Sequence, residues 1–191
     1  MLKLSEIWTM AKNDQGNAVL LRPLDAPMVV PIFIGLLEAQ SILIGMGNVP
    51  TPRPNTHDLL LNALGNAGFC LDKIEISDLD SDIFIANLVI KRLPGEEGPS
   101  GGFKEDARPS DALALAVRAK CPIYMAEKVI TEAGVPLENF LNEREDLAKL
   151  NGIKITNLKQ ELIKAIQEEN YEEAARIRDI LLVLGKDSLD S

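Results

Sequence analysis

Cysteine is scarce in this 191-residue chain: Cys70 and Cys121 are its only two. They form no CxxC pair and show no Cys/His spacing of a zinc site. The expectation is a buried, reduced pair in a cytosolic protein. Basic residues are also in deficit, with 20 Lys and Arg against 29 Asp and Glu and a net charge of −9. Sequence-independent nucleic-acid affinity comes from many cation–phosphate contacts, so an extended phosphate-binding surface is not expected. A compact site remains open, because a bound divalent ion supplies local positive charge. Long apolar runs are missing too. The longest, "APMVVPIFIGLL", carries two prolines and a glycine and is too short to span a bilayer. The opening "MLKLSEIWTM" lacks the charged-then-apolar order of a signal segment, so a soluble cytoplasmic protein is expected. Histidine occurs once, as His57.

What is present is regular. "LSEIWTMAKN" and "GNAVLLRPL" read as strands around the turn signal "NDQG", and "APMVVPIFI" as a third strand running into a helix over "GLLEAQSILIGMG". The link "GNVPTPRPN" leads to a second helix, "THDLLLNALGNAG", for which Thr56 is the expected N-cap. Three more strands follow ("FCLDKIEISDL", "SDIFIANLVIKRL" and "GFKEDA"), then a helix beginning at Ser110, with Ser110 as its cap. Three strands and a helix thus occur twice, which suggests an internal β-β-β-α duplication. Strands joined by tight turns favour antiparallel pairing, so the expected class is α+β: mostly antiparallel sheet with flanking helices. A short strand and helix over "CPIYMAEKVITEAGVP" would close a first domain, residues 1–136. A linker (137–154), a helical hairpin (155–186) and a tail (187–191) would follow. The hairpin helices are about 14 residues each, roughly 21 Å, and marginal alone. Their apolar stripes should pack on another hairpin, on a separate protein or on the chain's own first domain, and a homo-oligomer is expected.

Two stretches stand out. "RPNTHDLL" (Arg53–Leu60) and "ARPSDALALAVR" (Ala107–Arg118) each pass from Arg-Pro through a hydroxylated residue to an aspartate at a helix start. Together with "VPIFIGLLEAQSI" before them and "CPIYMAEKVI" after, they make the stretch from about Leu2 to Gly134 resemble the bifunctional nuclease domain family. The tail "ENYEEAARIRDIL" is similar to the UVR motif, with Tyr171, Glu172, Ala174, Ala175, Arg178 and Asp179 at the matching positions. The first resemblance implies a cytoplasmic nuclease acting on DNA and RNA. The second implies protein–protein contact.

The residue roles come from local chemistry. His57 supplies an imidazole able to move protons. Asp58 and Asp111 suit the first helical turn through the dipole alone. Arg108 and Arg118 beside an Ala/Leu/Val helix need carboxylate partners, and Arg53 has the same need. One reading makes His57, Asp58, Asp106, Arg108 and Asp111 catalytic, with Arg53 and Arg118 binding substrate. In that reading Glu38, Asp58 and Asp111 hold Mg²⁺ or Mn²⁺ for phosphodiester hydrolysis. The other reading is a non-enzymatic assembly protein in which the same groups form an Arg–carboxylate network pinning two helices. Both readings require the two Arg-Pro entrances to meet, with Arg53 or Arg108 paired to an aspartate of the other stretch.

Overall fold

The computed structural model of the chain describes residues 1–13, 16–95 and 101–141, and beyond them Leu158, Glu161, Lys164 and Arg176. The hairpin expected over 155–186 and the tail after it lie outside the described residues, apart from those four, each of which is helical. The chain divides into two compact units, Met1–Leu137 and Glu138–Ser191.

The first unit carries strands β1 (Leu2–Asn13), β2 (Gly16–Pro23) and β3 (Met28–Ile34), then helices α1 (Leu36–Met46) and α2 (Thr56–Asn66). Strands β4 (Phe69–Asp80), β5 (Ile83–Arg92) and β6 (Phe103–Ala107) follow, then α3 (Pro109–Ala119), β7 (Ile123–Ala126), α4 (Glu127–Ala133) and β8 (Val135–Pro136). The strands form one eight-stranded sheet in the order β6-β5-β4-β7-β1-β2-β3-β8. The class is therefore α+β, as the strand spacing implies. Two antiparallel meanders, β1-β2-β3 and β4-β5-β6, lie on either side of β7. Every pairing is antiparallel except β4 with β7. That parallel contact follows from topology: β6 leaves at one edge, and α3 carries the chain back over the sheet before β7 enters at the centre.

Helix α3 owes its central place to composition. The run "DALALAV" leaves Ala112, Leu113, Ala114, Leu115 and Ala116 all buried, packed with Ile42 of α1 and with Val19, Ile74, Ile76, Leu88 and Ile90 of the sheet. Each fully buried Leu or Ile contributes about 1.5–3 kcal/mol. The alanines let neighbours approach closely, and Gly45 of α1 does the same from the other side. A Cβ there would lie 2.6 Å from Val117 Cγ2 and 2.8 Å from Arg118 Nη1. The α1–α3 crossing thus needs glycine at this position.

Helix α2 is held differently. None of its residues is fully buried, Leu61 and Leu64 pack only partly on the core, and Leu59 is 61% exposed. Both helix starts also differ from the sequence reading. The cap of α2 is Asn55 rather than Thr56, because the Asp58 carboxylate reaches back to accept from the Asn55 N–H (2.9 Å) and fixes the first turn one residue earlier. The cap of α3 is Arg108, in extended backbone, with Pro109 at the first helical position. Ser110 is buried inside the first turn and is not the cap.

A second polar feature sits in the sheet. Glu75 of β4 is 3% exposed and takes Lys73 Nζ at 2.8 Å and Lys104 Nζ at 2.6 Å. Burial pushes its carboxyl up, but hydrogen bonds and charge from Lys104 and Lys73 outweigh that and hold it below the ordinary value of 4.5. A carboxylate depressed in the folded state adds stability that is complete above its unfolded pKa. That stability is lost as pH falls through the folded pKa. The wild-type melting temperature should therefore drop on acidification below about pH 4.5. Glu75→Gln, which lacks this titration, should start lower and fall less steeply. Parallel curves from pH 6 to pH 2 would remove Glu75 as the cause.

Candidate active site

Three helix starts converge. The first turn of α1 presents Leu37 and Glu38, that of α2 presents Thr56 and His57, and that of α3 presents Ser110 and Asp111. With Ser41 and Arg108 these side chains line an open cavity of about 280 Å³. Helix starts carry the positive dipole end, while Glu38 and Asp111 set two carboxylates against the one guanidinium of Arg108 in this cavity.

Its polar contacts form a chain. Ser41 Oγ lies 3.0 Å from His57 Nδ1, and His57 Nε2 lies 3.4 Å from Asp111 Oδ1. Asp111 in turn accepts from Arg108, Nε to Oδ2 at 2.8 Å and Nη2 to Oδ1 at 3.3 Å. The third Arg108 nitrogen, Nη1, reaches Glu38 Oε1 at 3.4 Å. Burial pushes the Asp111 carboxyl up, but Arg108 and then His57 outweigh it and hold the group below the ordinary aspartate value. Asp111 is thus a carboxylate at neutral pH. The Arg108 side chain is 68% exposed and that of His57 is 18% exposed. Cation and imidazole both sit where a ligand could meet them.

Arg118 and Asp58 form a separate group. Arg118, in the last turn of α3, is 7% exposed. Its Nε donates to Asp58 Oδ1 at 2.9 Å, and its Nη1 donates to the carbonyls of Ser41 (2.9 Å) and Ala114 (2.8 Å). With Asp58 also capping α2, this one guanidinium ties α1, α2 and α3 together. The two Arg-Pro stretches therefore do lie side by side. The pairing across them differs from the sequence expectation: it is Arg118–Asp58 and His57–Asp111, while Arg108 pairs with Asp111 of its own stretch and with Glu38.

The remaining sequence candidates stand apart. Arg53 is exposed and makes no ion pair among the described residues. Asp106 is exposed on β6 opposite Asn87 and does not line the cavity. The proposed metal set does not gather. Glu38 and Asp111 both face Arg108, whereas both Asp58 oxygens are taken by Arg118 and the Asn55 N–H. Among the described residues no group of three or more His, Cys, Asp or Glu side chains is placed to hold a metal ion. The cysteines are free, and burial pushes the Cys121 thiol up to about 11, so it is a poor nucleophile at neutral pH. Ser41 was missed by sequence reading. Its signal was its place one helical turn after Glu38, on the same face of α1.

A second cleft of about 350 Å³ adjoins the first and shares Glu38, Arg108 and Ser110 with it. Phe33, Ile83 and Phe84 line it, and Phe33 and Ile83 are 56% and 69% exposed. Ser81 and Asp82, at φ 51° and 67°, make the left-handed turn that brings Ile83 to its rim. The Arg108 end of the first cavity thus opens onto an apolar floor.

Two stretches of the chain match known families. Residues 19–138 match the bifunctional nuclease domain, and residues 152–187 match the UvrB/UvrC motif. The chain belongs to the bifunctional nuclease domain family. An uncharacterised protein of Mycobacterium tuberculosis is 35% identical over 130 residues, covering 68% of this chain and 74% of that protein. Bifunctional nuclease 1 of Oryza sativa subsp. japonica is 22% identical over 183 residues, covering 87% of this chain. Bifunctional nuclease 2 of Arabidopsis thaliana is 24% identical over 184 residues, covering 86%. The chain spans only 54% of each of these two plant proteins. No helix among the described residues is long and apolar enough to cross a membrane.

Proposed function

We propose that the protein is a phosphodiesterase acting on DNA or RNA, with its reaction centre in the cavity formed by the three helix starts. The observation that carries this reading is the contact chain His57–Asp111–Arg108 inside a cavity built from helix N-termini. Phosphodiester cleavage needs a proton acceptor for the nucleophile, positive charge around the phosphoryl oxygens and protonation of the leaving oxygen. His57 moves the protons, Asp111 fixes its ring, and Arg108 with the helix-end amides faces the phosphate. Glu38 and Asp111 bring two negative charges against the one positive charge of Arg108, so the helix-end dipoles must supply the remaining attraction for a phosphate. The adjoining cleft, with exposed Phe33 beside Arg108, suits the base next to the reacting phosphate, since aromatic side chains stack on any nucleobase. Asp58 and Arg118 serve the fold in this reading.

No metal enters this scheme, because the expected ligands Glu38, Asp58 and Asp111 do not come together. The simplest test is cleavage of a labelled single-stranded oligonucleotide by wild type and by Arg108→Ala. Arg108 is largely exposed, so its loss should leave folding intact and reduce cleavage about hundredfold.

The second unit supplies docking in this reading, in line with the protein–protein contact that its resemblance to the UvrB/UvrC motif implies. In the sequence Tyr171, Ala174, Ala175, Ile177, Leu181 and Leu184 recur at helical spacing, so replacing Ala175 and Leu181 with Glu should put charges into that apolar series and abolish the contact with a second copy or a protein partner. Light scattering and co-purification read the result. An unchanged mass and unchanged partners would remove the docking role.

A further inference from the structure

The chain Ser41–His57–Asp111 has a direction that the hydrogen-bond chemistry fixes. An ionised Asp111 only accepts, so the proton on the imidazole lies at Nε2 and points to Oδ1 across 3.4 Å. In the neutral ring Nδ1 then carries the lone pair, and Ser41 Oγ–H donates to it at 3.0 Å. A hydroxyl whose proton rests on an imidazole, itself oriented by a carboxylate, is the arrangement of an activated serine. The ring nitrogens exchange roles relative to the familiar protease triad, which leaves the proton path unchanged. The hydroxyl lines the same cavity as Arg108 and the helix starts. The Ser41 carbonyl is separately occupied by Arg118 Nη1, so the backbone here is held while the side chain faces the cavity.

We propose that Ser41 is the nucleophile, and that cleavage runs through a phosphoserine ester. This rests on the phosphodiesterase reading above. In the first step the Ser41 Oγ–P bond forms as the P–O bond to the leaving nucleoside breaks. The hydroxyl proton passes to His57 Nδ1 and from there to the leaving oxygen. In the second step water attacks the same phosphorus and gives its proton to His57. The Oγ–P bond breaks, and that proton returns to Ser41. The only co-reactant is water.

The test pairs two readouts on the full chain. A fluorophosphonate probe reacts with an activated serine by forming an Oγ–P bond and expelling fluoride, and peptide mass spectrometry locates the adduct. The expected result is labelling at Ser41 in wild type, and none in Ser41→Ala or His57→Ala. Cleavage of a single-stranded oligonucleotide should fall a thousandfold or more in Ser41→Ala, on the order of the loss when a triad nucleophile is removed. Ser41→Ala keeps the carbonyl that Arg118 uses, so its melting temperature should stay within a few degrees of wild type. If folded Ser41→Ala cleaves as wild type does, the proposal is overturned and the phosphodiesterase reading survives with water as nucleophile. If wild type cleaves no oligonucleotide yet labels at Ser41, the nucleic-acid reading falls and Ser41 stands as a nucleophile for another ester. If wild type neither cleaves nor labels, both fall.

Discussion

Arg118→Ala will lower the stability of the first unit by about 3 kcal/mol, a loss of roughly 6–12 °C in melting temperature. The substitution removes three hydrogen bonds and leaves two carbonyls and the Asp58 carboxylate without their cation. Breaking a buried pair from one side typically costs about 3–5 kcal/mol. The low end applies because Asp58 is 33% exposed and because Arg118 Nη2 is buried with no hydrogen-bond partner among the described residues. Arg118→Lys should recover little, since a single ammonium cannot reach the Asp58 oxygen and both carbonyls in the guanidinium's geometry. Differential scanning calorimetry decides it. A shift under about 2 °C would mean that α2 is held by something other than this cation.

Asp111→Asn should have the opposite profile. Asp111 is 36% exposed, and ion pairs at such sites contribute at most about 1 kcal/mol, so the melting temperature should fall by only about 2–4 °C. Activity should fall about 10³–10⁴-fold, because an amide NH₂ can donate to Nε2 and stabilise the wrong tautomer of His57. His57→Ala should lose about 10²–10⁴-fold through loss of proton transfer. Oligonucleotide cleavage beside a thermal melt measures both. Activity within threefold of wild type in Asp111→Asn would show that the His57–Asp111 contact positions nothing.

The fold was largely legible because its signals are local. Alternating strands, the turn at "NDQG" and the Ala/Leu run after Pro109 each specify their own element. The parallel β4–β7 pair and the short β8 were not legible, since both depend on where the chain returns after a helix. The same limit divides the site. That the two Arg-Pro stretches meet could be inferred from charge: buried guanidinium needs carboxylate. Which arginine faces which aspartate could not, because Arg108 and Arg118 are ten residues apart on one helix start and end and differ only in depth. Asp106 and Arg53 were named for residue type and proximity in sequence, yet the strand pairing of β6 and the Pro-rich link leave both exposed. Ser41 carries no motif at all. Its spacing from Glu38 was the one hint, and the contact with His57 becomes visible when α1 and α2 are brought together.

The division of labour between adjacent residues is the central claim: His57 serves the reaction and Asp58 the fold. Single-turnover cleavage of one oligonucleotide at 25 °C, with His57→Ala and Asp58→Asn compared at equal folded fraction, tests it most directly. His57→Ala should cleave at least a hundredfold more slowly with a nearly wild-type melting temperature. Asp58→Asn should melt earlier but cleave within a few-fold of wild type. Equal losses in the two variants, or full activity in His57→Ala, would contradict it.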